Sequence, residues 1–270
     1  MFERWQEFLS KRTGIVLPKS KRYLVENRLH PLLRRYEQES MEGLYDLLHS
    51  RGNEELAQEV IELLTTHETF FFRDPGGFVV LRHAFNQFLK DNPPHKKAVF
   101  KVWSAACSTG QEVYSIAMAL FPLMKGRITF EVLGSDIAKF TVANARTGQY
   151  RDLRGGINET QVRQFFVQHT DYWEVHRKLR PHVSFRVSNL MDNRGIPKDF
   201  DIIMLRNVAI YFDPVIRAEL FENVAKHLKP DGKLILGGTE SMIGIKNKYK
   251  RETFMGAPFY KYDGTKVTYI

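Results

Sequence analysis

From Val99 onward the chain alternates short apolar runs with amphipathic segments, and the first run empties into a loop of small residues. Val99–Trp103 reads as a buried strand. The loop Ser104-Ala105-Ala106-Cys107-Ser108-Thr109-Gly110-Gln111 follows, and Glu112–Phe121 has helical spacing. Further strands are expected at Thr129–Leu133, Val183–Val187, Ile202–Leu205 and Lys233–Leu236, with helices at Phe140–Arg146, Thr160–Phe166 and Pro214–Leu228. Strands that are apolar on both sides and separated by helices require a mainly parallel sheet covered on both faces. Residues 167–182 interrupt the alternation and read as a short polar–aromatic insert, a small hairpin.

The first 70 residues have a different period. Trp5, Phe8 and Leu9 share a helical face that Thr13-Gly14 ends. A second helix is expected from about Lys19 to Tyr36, with Val25, Leu29, Leu32 and Tyr36 as its apolar stripe and Pro31 as a kink or restart. Its other face carries Lys21, Arg28 and Arg35, seven residues apart, and Arg34 adds to that charge. Such a face is either a solvated surface or a docking face for an acidic partner. Two more helices fit Met41–Ser50 and Glu54–Leu64. After the aromatic run Phe70-Phe71-Phe72-Arg73, Phe78–Leu89 is expected to be helical.

Ligands of open α/β sheets bind at the carboxyl edge of the strands, and three segments deliver chemistry there. The small-residue loop brings backbone N–H groups close to a ligand, although it is neither a GxGxxG fingerprint nor a P-loop. The second strand ends in Gly134-Ser135-Asp136, an acid placed to accept ribose hydroxyls or to cap the next helix. Arg206-Asn207 closes the apolar run Ile202–Leu205, and Tyr211 follows within a turn. Loop and acid together point to a bound nucleoside and leave a nicotinamide cofactor and S-adenosylmethionine both open.

Taken in order, these segments resemble the chemotaxis-receptor glutamate methyltransferases of CheR type over nearly the whole chain. Phe8-Leu9, Thr13-Gly14-Ile15, Lys21, Leu24-Val25 and Arg28-Leu29 are similar to that family's helical N-terminal domain. Thr66-His67-Glu68-Thr69 with Phe71-Phe72-Arg73 resembles its linker motif, Trp103–Glu112 its cofactor loop, and Arg206-Asn207-Val208 with Ile210-Tyr211-Phe212 its fourth motif. The fold so implied is a Rossmann-like α/β methyltransferase domain with a small all-helical N-terminal domain and a short inserted β-subdomain. The implied boundaries are 1–65 for a receptor-docking domain, 66–98 for a linker and connecting helix carrying part of the cofactor site, and 99–270 for the cofactor-binding domain.

The resemblance also implies roles. His67, Thr69, Arg73, Glu112, Asp136, Asn189, Leu190, Arg206 and Asn207 fall where the family contacts S-adenosylmethionine, with Asp136 at the ribose and Asn189-Leu190 near the adenine. Arg73 and Tyr211 border the transferable methyl, and Lys21, Arg28, Arg34 and Arg35 form the receptor-docking face. The implied partner is the helical cytoplasmic part of a chemotaxis receptor, with S-adenosylhomocysteine as the other product. His67 stands where Asn is usual, and Gly237-Gly238-Thr239-Glu240 where Gly-His-Ser-Glu is usual. The insert is shorter than in members that bind a tethering pentapeptide, which argues against a tether here.

A glutamate side chain, with a reference pKa of about 4.3, is already ionised at neutral pH, so its methylation needs positioning and desolvation rather than a base. Cys107, the single cysteine, then reads as a packing residue, and the histidines lack metal-ligand spacing, so no metal is expected. The net charge of +9 also admits a nucleic-acid methyltransferase. The only Asn-Pro-Pro, at 92–94, precedes the cofactor loop instead of following the fourth strand, so no nucleic-acid partner is expected. A non-catalytic cofactor-binding scaffold is the other alternative. The residues Met1–Trp5 do not read as a secretory leader and no apolar run reaches a membrane span, so a cytoplasmic monomer is expected.

Overall fold

The computed structural model describes residues 1–50, 52–263 and 268–269. Four helices come first: α1 (Phe2–Thr13), α2 (Arg22–Arg35), α3 (Met41–His49) and α4 (Glu54–Leu64). Their apolar stripes meet in one cluster built on Trp5, Leu9, Val25, Leu29, Leu44, Leu56 and Val60. Gly14 caps α1 at φ 78°, and a Cβ there would stand 2.9 Å from the Phe212 ring, so glycine is required both by conformation and by the close approach of the second domain.

The expected second helix is corrected in two respects. Lys19–Lys21 form a separate 3₁₀ turn, and α2 then runs through Pro31 without a restart. Pro31 removes one N–H from the ladder on the exposed side, while Leu29 and Leu32 on either side of it are buried and hold the helix against its neighbours.

After α5 (Pro75–Asp91) come β1 (Ala98–Ala105), α6 (Gln111–Leu120), β2 (Ile128–Asp136), α7 (Lys139–Thr147), β3 (Gln149–Tyr150), α8 (Glu159–Phe165), β4 (Phe166–Gln168), β5 (Trp173–Val175), β6 (Val183–Val187), β7 (Phe200–Leu205), α9 (Pro214–Ala225), β8 (Leu228–Leu236), β9 (Lys246–Asn247), β10 (Tyr249–Phe254), β11 (Ala257–Tyr262) and β12 (Thr268–Tyr269). The seven-stranded sheet has the order β10-β11-β8-β7-β1-β2-β6, parallel from β8 to β6 and antiparallel at β11 and β10. The hairpin of β10 and β11 has no counterpart in the sequence reading.

Alternate residues of the central strands face opposite layers. Phe100 and Val102 of β1 and Ile202 and Met204 of β7 join α5 and α6 in one core. Trp103, Ala105, Ile203 and Leu205 join α9 in the other. Each central strand is therefore apolar on both sides, as a parallel sheet covered by helices requires. The insert is a three-stranded antiparallel sheet, β3-β5-β4, in which β4 and β5 form the expected hairpin and β3 extends it. β1 pairs with β2 on one side and β7 on the other, which makes its carboxyl end the point where the strand order reverses.

Candidate functional site

A cavity of about 520 Å³ opens at that reversal point, within the range of small-molecule sites. Its walls come from four places: the loop after β1, the ends of β2, β6 and β7, the segment joining α4 to α5, and the helical domain between Thr13 and Arg28. His67, Thr69, Arg73, Glu112, Asp136, Asn189, Leu190, Arg206, Asn207 and Tyr211 all line it. So do Lys21 and Arg28, whereas Arg34 and Arg35 do not.

The loop after β1 is held in an unusual backbone conformation. Ala106, Ser108 and Gly110 have φ of 67°, 50° and 91°. Of the eight non-glycine residues with positive φ among those described, Phe72, Asp74, Ala106, Ser108 and Asn207 lie in segments that build this cavity. Such conformations cost about 1–2 kcal/mol each for residues with a Cβ and persist only where the surroundings enforce them. Here Ser108 N–H donates to Asp136 Oδ2 at 2.8 Å, Ser108 Oγ donates to the His67 carbonyl at 2.8 Å, and Tyr150 Oη donates to the Thr109 carbonyl at 2.8 Å.

Asp136 is 8% exposed. Its Oδ1 accepts from Ala138 N–H at 3.1 Å just ahead of α7, but the N-cap of that helix is Ala138, so Asp136 lines the cavity without capping the helix. Burial pushes its carboxyl above the ordinary aspartate value, against the opposing pull of the Ala138 and Ser108 N–H groups and the nearby His67. Each oxygen keeps a second lone pair for a ligand hydroxyl. Burial, reinforced by Asp136 and Glu112, holds the Cys107 thiol well above its ordinary value, which fits a packing residue and not a nucleophile.

Several of the residues assigned to the cofactor also engage protein groups. The Arg206 side chain is 1% exposed; it pairs with Glu112 at 2.7 Å and Asp74 at 3.3 Å, and donates to the carbonyls of Arg73 and Asp74. Glu112 in turn accepts from Ser104 Oγ at 2.8 Å. Arg206 and Glu112 therefore line the cavity and also form a buried brace that fixes the Arg73-Asp74 segment. Asn207 lies at φ 58° with its N–H on Glu240 Oε2 at 2.6 Å, and Glu240 also takes the N–H of Val208 and Gly237. Asn189 turns its amide to the Arg12 carbonyl at 2.7 Å and accepts from Met191 N–H, so it ties the helical domain to the end of β6.

Arg73 is a half-buried cation on the cavity wall without a described ion pair. Its guanidinium lies 5.3 Å from the Phe70 ring and donates to the Glu68 carbonyl at 3.1 Å. Tyr211 is half-buried, and its carbonyl accepts from Val16 N–H at 2.9 Å, so the helical domain holds the segment that carries it. Phe212, by contrast, is a core residue at 4% exposure. The sequence reading missed Ser108, Tyr150 and Ser188. Ser188 Oγ is buried on the cavity wall and has no partner, and an orphaned buried hydroxyl beside a cavity is a ligand signal that only coordinates reveal.

The basic row is also revised. Arg28 turns inward and donates to the Leu63 and Thr65 carbonyls at 3.1 and 2.8 Å, closing the end of α4. Arg35 pairs with Glu59 at 3.1 Å. Lys21 sits in the 3₁₀ turn ahead of α2 and off its register. Lys21 and Arg34 are exposed, and they are the members of the set that face solvent without a described ion pair.

Comparison with known proteins gives one consistent result. Residues 1–65 match the family described as CheR methyltransferase, all-alpha domain, and residues 67–256 match CheR methyltransferase, SAM binding domain. The chain is 33% identical over 258 residues to chemotaxis protein methyltransferase Cher2 of Pseudomonas putida, across 92% of this chain and 93% of that protein. It is 34% identical over 256 residues to the chemotaxis protein methyltransferase of Vibrio parahaemolyticus, across 92% of each. It is 34% identical over 258 residues to that of Escherichia coli, across 92% of this chain and 86% of that protein.

Proposed function

The chain belongs to the CheR methyltransferase family and is an S-adenosylmethionine-dependent methyltransferase, and from that premise we propose that it esterifies glutamate side chains on the cytoplasmic helices of chemotaxis receptors. The observation that carries this reading is one cavity, at the carboxyl edge of the sheet, that has Asp136 on its floor and both Arg73 and Tyr211 on its walls.

The residues present fit the cofactor. Asp136 offers free lone pairs to ribose hydroxyls, and the partnerless Ser188 hydroxyl lies beside Asn189 and Leu190 on the wall assigned to the adenine. When bound, S-adenosylmethionine supplies a methyl group made electrophilic by its sulfonium. Arg73 and Tyr211 orient the substrate carboxylate, and Ile15, Val16 and Leu17 of the helical domain exclude water from the same cavity. No residue has to remove a proton, because the glutamate is already ionised at neutral pH.

The test is transfer of labelled methyl from S-adenosylmethionine to the cytoplasmic part of a receptor from the same organism. Base-labile label that falls at least about 100-fold in Arg73→Ala and about 10-fold in Tyr211→Phe is expected, in line with lost positioning and one lost hydrogen bond. Cofactor binding without transfer to any receptor would overturn the substrate assignment.

A further inference from the structure

The helix α7 begins without a cap of its own. Its N-cap residue, Ala138, has no side chain able to accept a hydrogen bond, and the N–H groups of the first turn point out of the helix. They are satisfied from the other domain. Glu62 of α4 accepts from Phe140 N–H at 3.1 Å, from Thr141 N–H at 2.9 Å and from Thr141 Oγ1 at 3.2 Å. A carboxylate at a helix N-terminus is also favoured by the helix dipole. Next to it, Gln58 of α4 donates to the Ile137 carbonyl at 2.6 Å.

Followed onward, these bonds close on themselves. From the start of α7, Ala138 N–H reaches Asp136 Oδ1, and Asp136 Oδ2 accepts from Ser108 N–H. Ser108 Oγ donates to the His67 carbonyl, and the His67 ring, through Nε2, lies 2.9 Å from the carbonyl of Glu62 itself. The circuit therefore runs through the helical domain, the linker, the loop after β1 and the end of β2. Three of its members, His67, Ser108 and Asp136, line the cavity; Glu62, Phe140 and Thr141 do not.

We propose that Glu62 is a positioning residue for the cofactor. It fixes the start of α7 and thereby the geometry of Asp136 and Ser108, so that docking of the helical domain and occupancy of the cofactor site are thermodynamically coupled. Coupling is reciprocal: whatever Glu62 contributes to cofactor affinity, the cofactor returns as stability of the domain contact. The inference rests on the cofactor occupying the cavity at Asp136.

The experiment uses the full chain with S-adenosylhomocysteine as probe and compares wild type, Glu62→Gln and Glu62→Ala. Calorimetric titration should show Kd raised about 5-fold or more in Glu62→Ala and less in Glu62→Gln, which keeps one acceptor oxygen. With receptor fragment, KM for the cofactor should rise while kcat at saturating cofactor stays within about 2-fold. Hydrogen exchange supplies a readout that a purely structural cap would not move. The ligand should slow exchange at Phe140 and Thr141 in wild type, outside the cavity, and should lose that effect in Glu62→Ala. If Glu62→Ala proves unstable, Glu62→Gln and the wild-type exchange experiment still decide. Ligand that binds wild type and both variants equally, or that protects the cavity segments but not Phe140 and Thr141, overturns the coupling. Failure of the wild type to bind, or binding that leaves exchange at Asp136 and Ser108 unchanged, overturns the siting of the cofactor instead.

Discussion

Replacing Arg206 by methionine separates two roles for this residue, contact with the cofactor and support of the Arg73-Asp74 segment. Its guanidinium is almost fully buried between Glu112 and Asp74 and reaches the carbonyls of Arg73 and Asp74. Methionine fills similar space but leaves Glu112, at 14% side-chain exposure, with only Ser104 Oγ as a partner. Breaking a buried pair from one side costs about 3–5 kcal/mol. Residual solvent at Glu112 and the 37% exposure of Asp74 place this case at the lower end, about 3 kcal/mol. At about 2–4 °C per kcal/mol for a domain of this size, Tm should fall by roughly 6–12 °C. The double variant Arg206→Met/Glu112→Leu should recover only part of that loss, because an apolar pair replaces the Arg206–Glu112 pair almost neutrally but Ser104 then lacks an acceptor and the Arg73 and Asp74 carbonyls lack their donor. Urea and thermal unfolding followed by the combined fluorescence of the three tryptophans, of which Trp5 and Trp103 are buried, measure both. A single variant within 1 kcal/mol of wild type whose S-adenosylhomocysteine Kd rises more than 100-fold would refute the brace and return Arg206 to direct contact with the cofactor.

Three further outcomes are expected. Burial holds the Asp136 carboxyl above 3.8, so the folded chain binds an extra proton in that window; the group's stabilising contribution is complete below pH 3.8 and lost as pH rises through the raised value. Cofactor affinity runs oppositely, because the carboxylate is the acceptor: the S-adenosylhomocysteine Kd measured by calorimetry should rise as pH falls through that value and should be weak at every pH in Asp136→Asn. Ser188→Ala should weaken the same Kd about 2–10-fold with Tm unchanged or slightly higher, since the free chain loses only an unsatisfied hydroxyl. Arg34→Glu, outside the cavity, should raise KM for the receptor and weaken its salt dependence while leaving cofactor Kd alone, whereas Arg28→Ala should instead lower Tm through the uncovered Leu63 and Thr65 carbonyls.

What the sequence made legible follows from the range of the forces involved. β1, β2, β7 and the last residues of β8 are readable because a strand buried on both faces is a nearly continuous apolar run, and Glu54–Leu64 is readable from its period alone. The position of Asp136 at the sheet's carboxyl edge is readable because its place at a strand end is a local property. The hairpin of β10 and β11 was missed because its outer residues, Lys250, Arg251, Glu252 and Lys261, mask the alternation. Arg28 was misplaced for a different reason: heptad spacing puts a long side chain on a face but does not say that two helix-terminal carbonyls wait within its reach. The same limit covers the site. Arg206 and Glu112 lie 94 residues apart, and Glu62 and Thr141 lie 79 apart, so no window joins them. Nor does any glycine announce the left-handed turns at Ala106, Ser108 and Asn207, because those conformations are imposed from outside by Asp136, His67 and Glu240. The loop that most constrains the fold is thus shaped by contacts brought from three other segments. One of those segments begins at the end of the helical domain, so a helical domain and a cavity that look separable along the chain are one structure where His67, Ser108 and Asp136 meet.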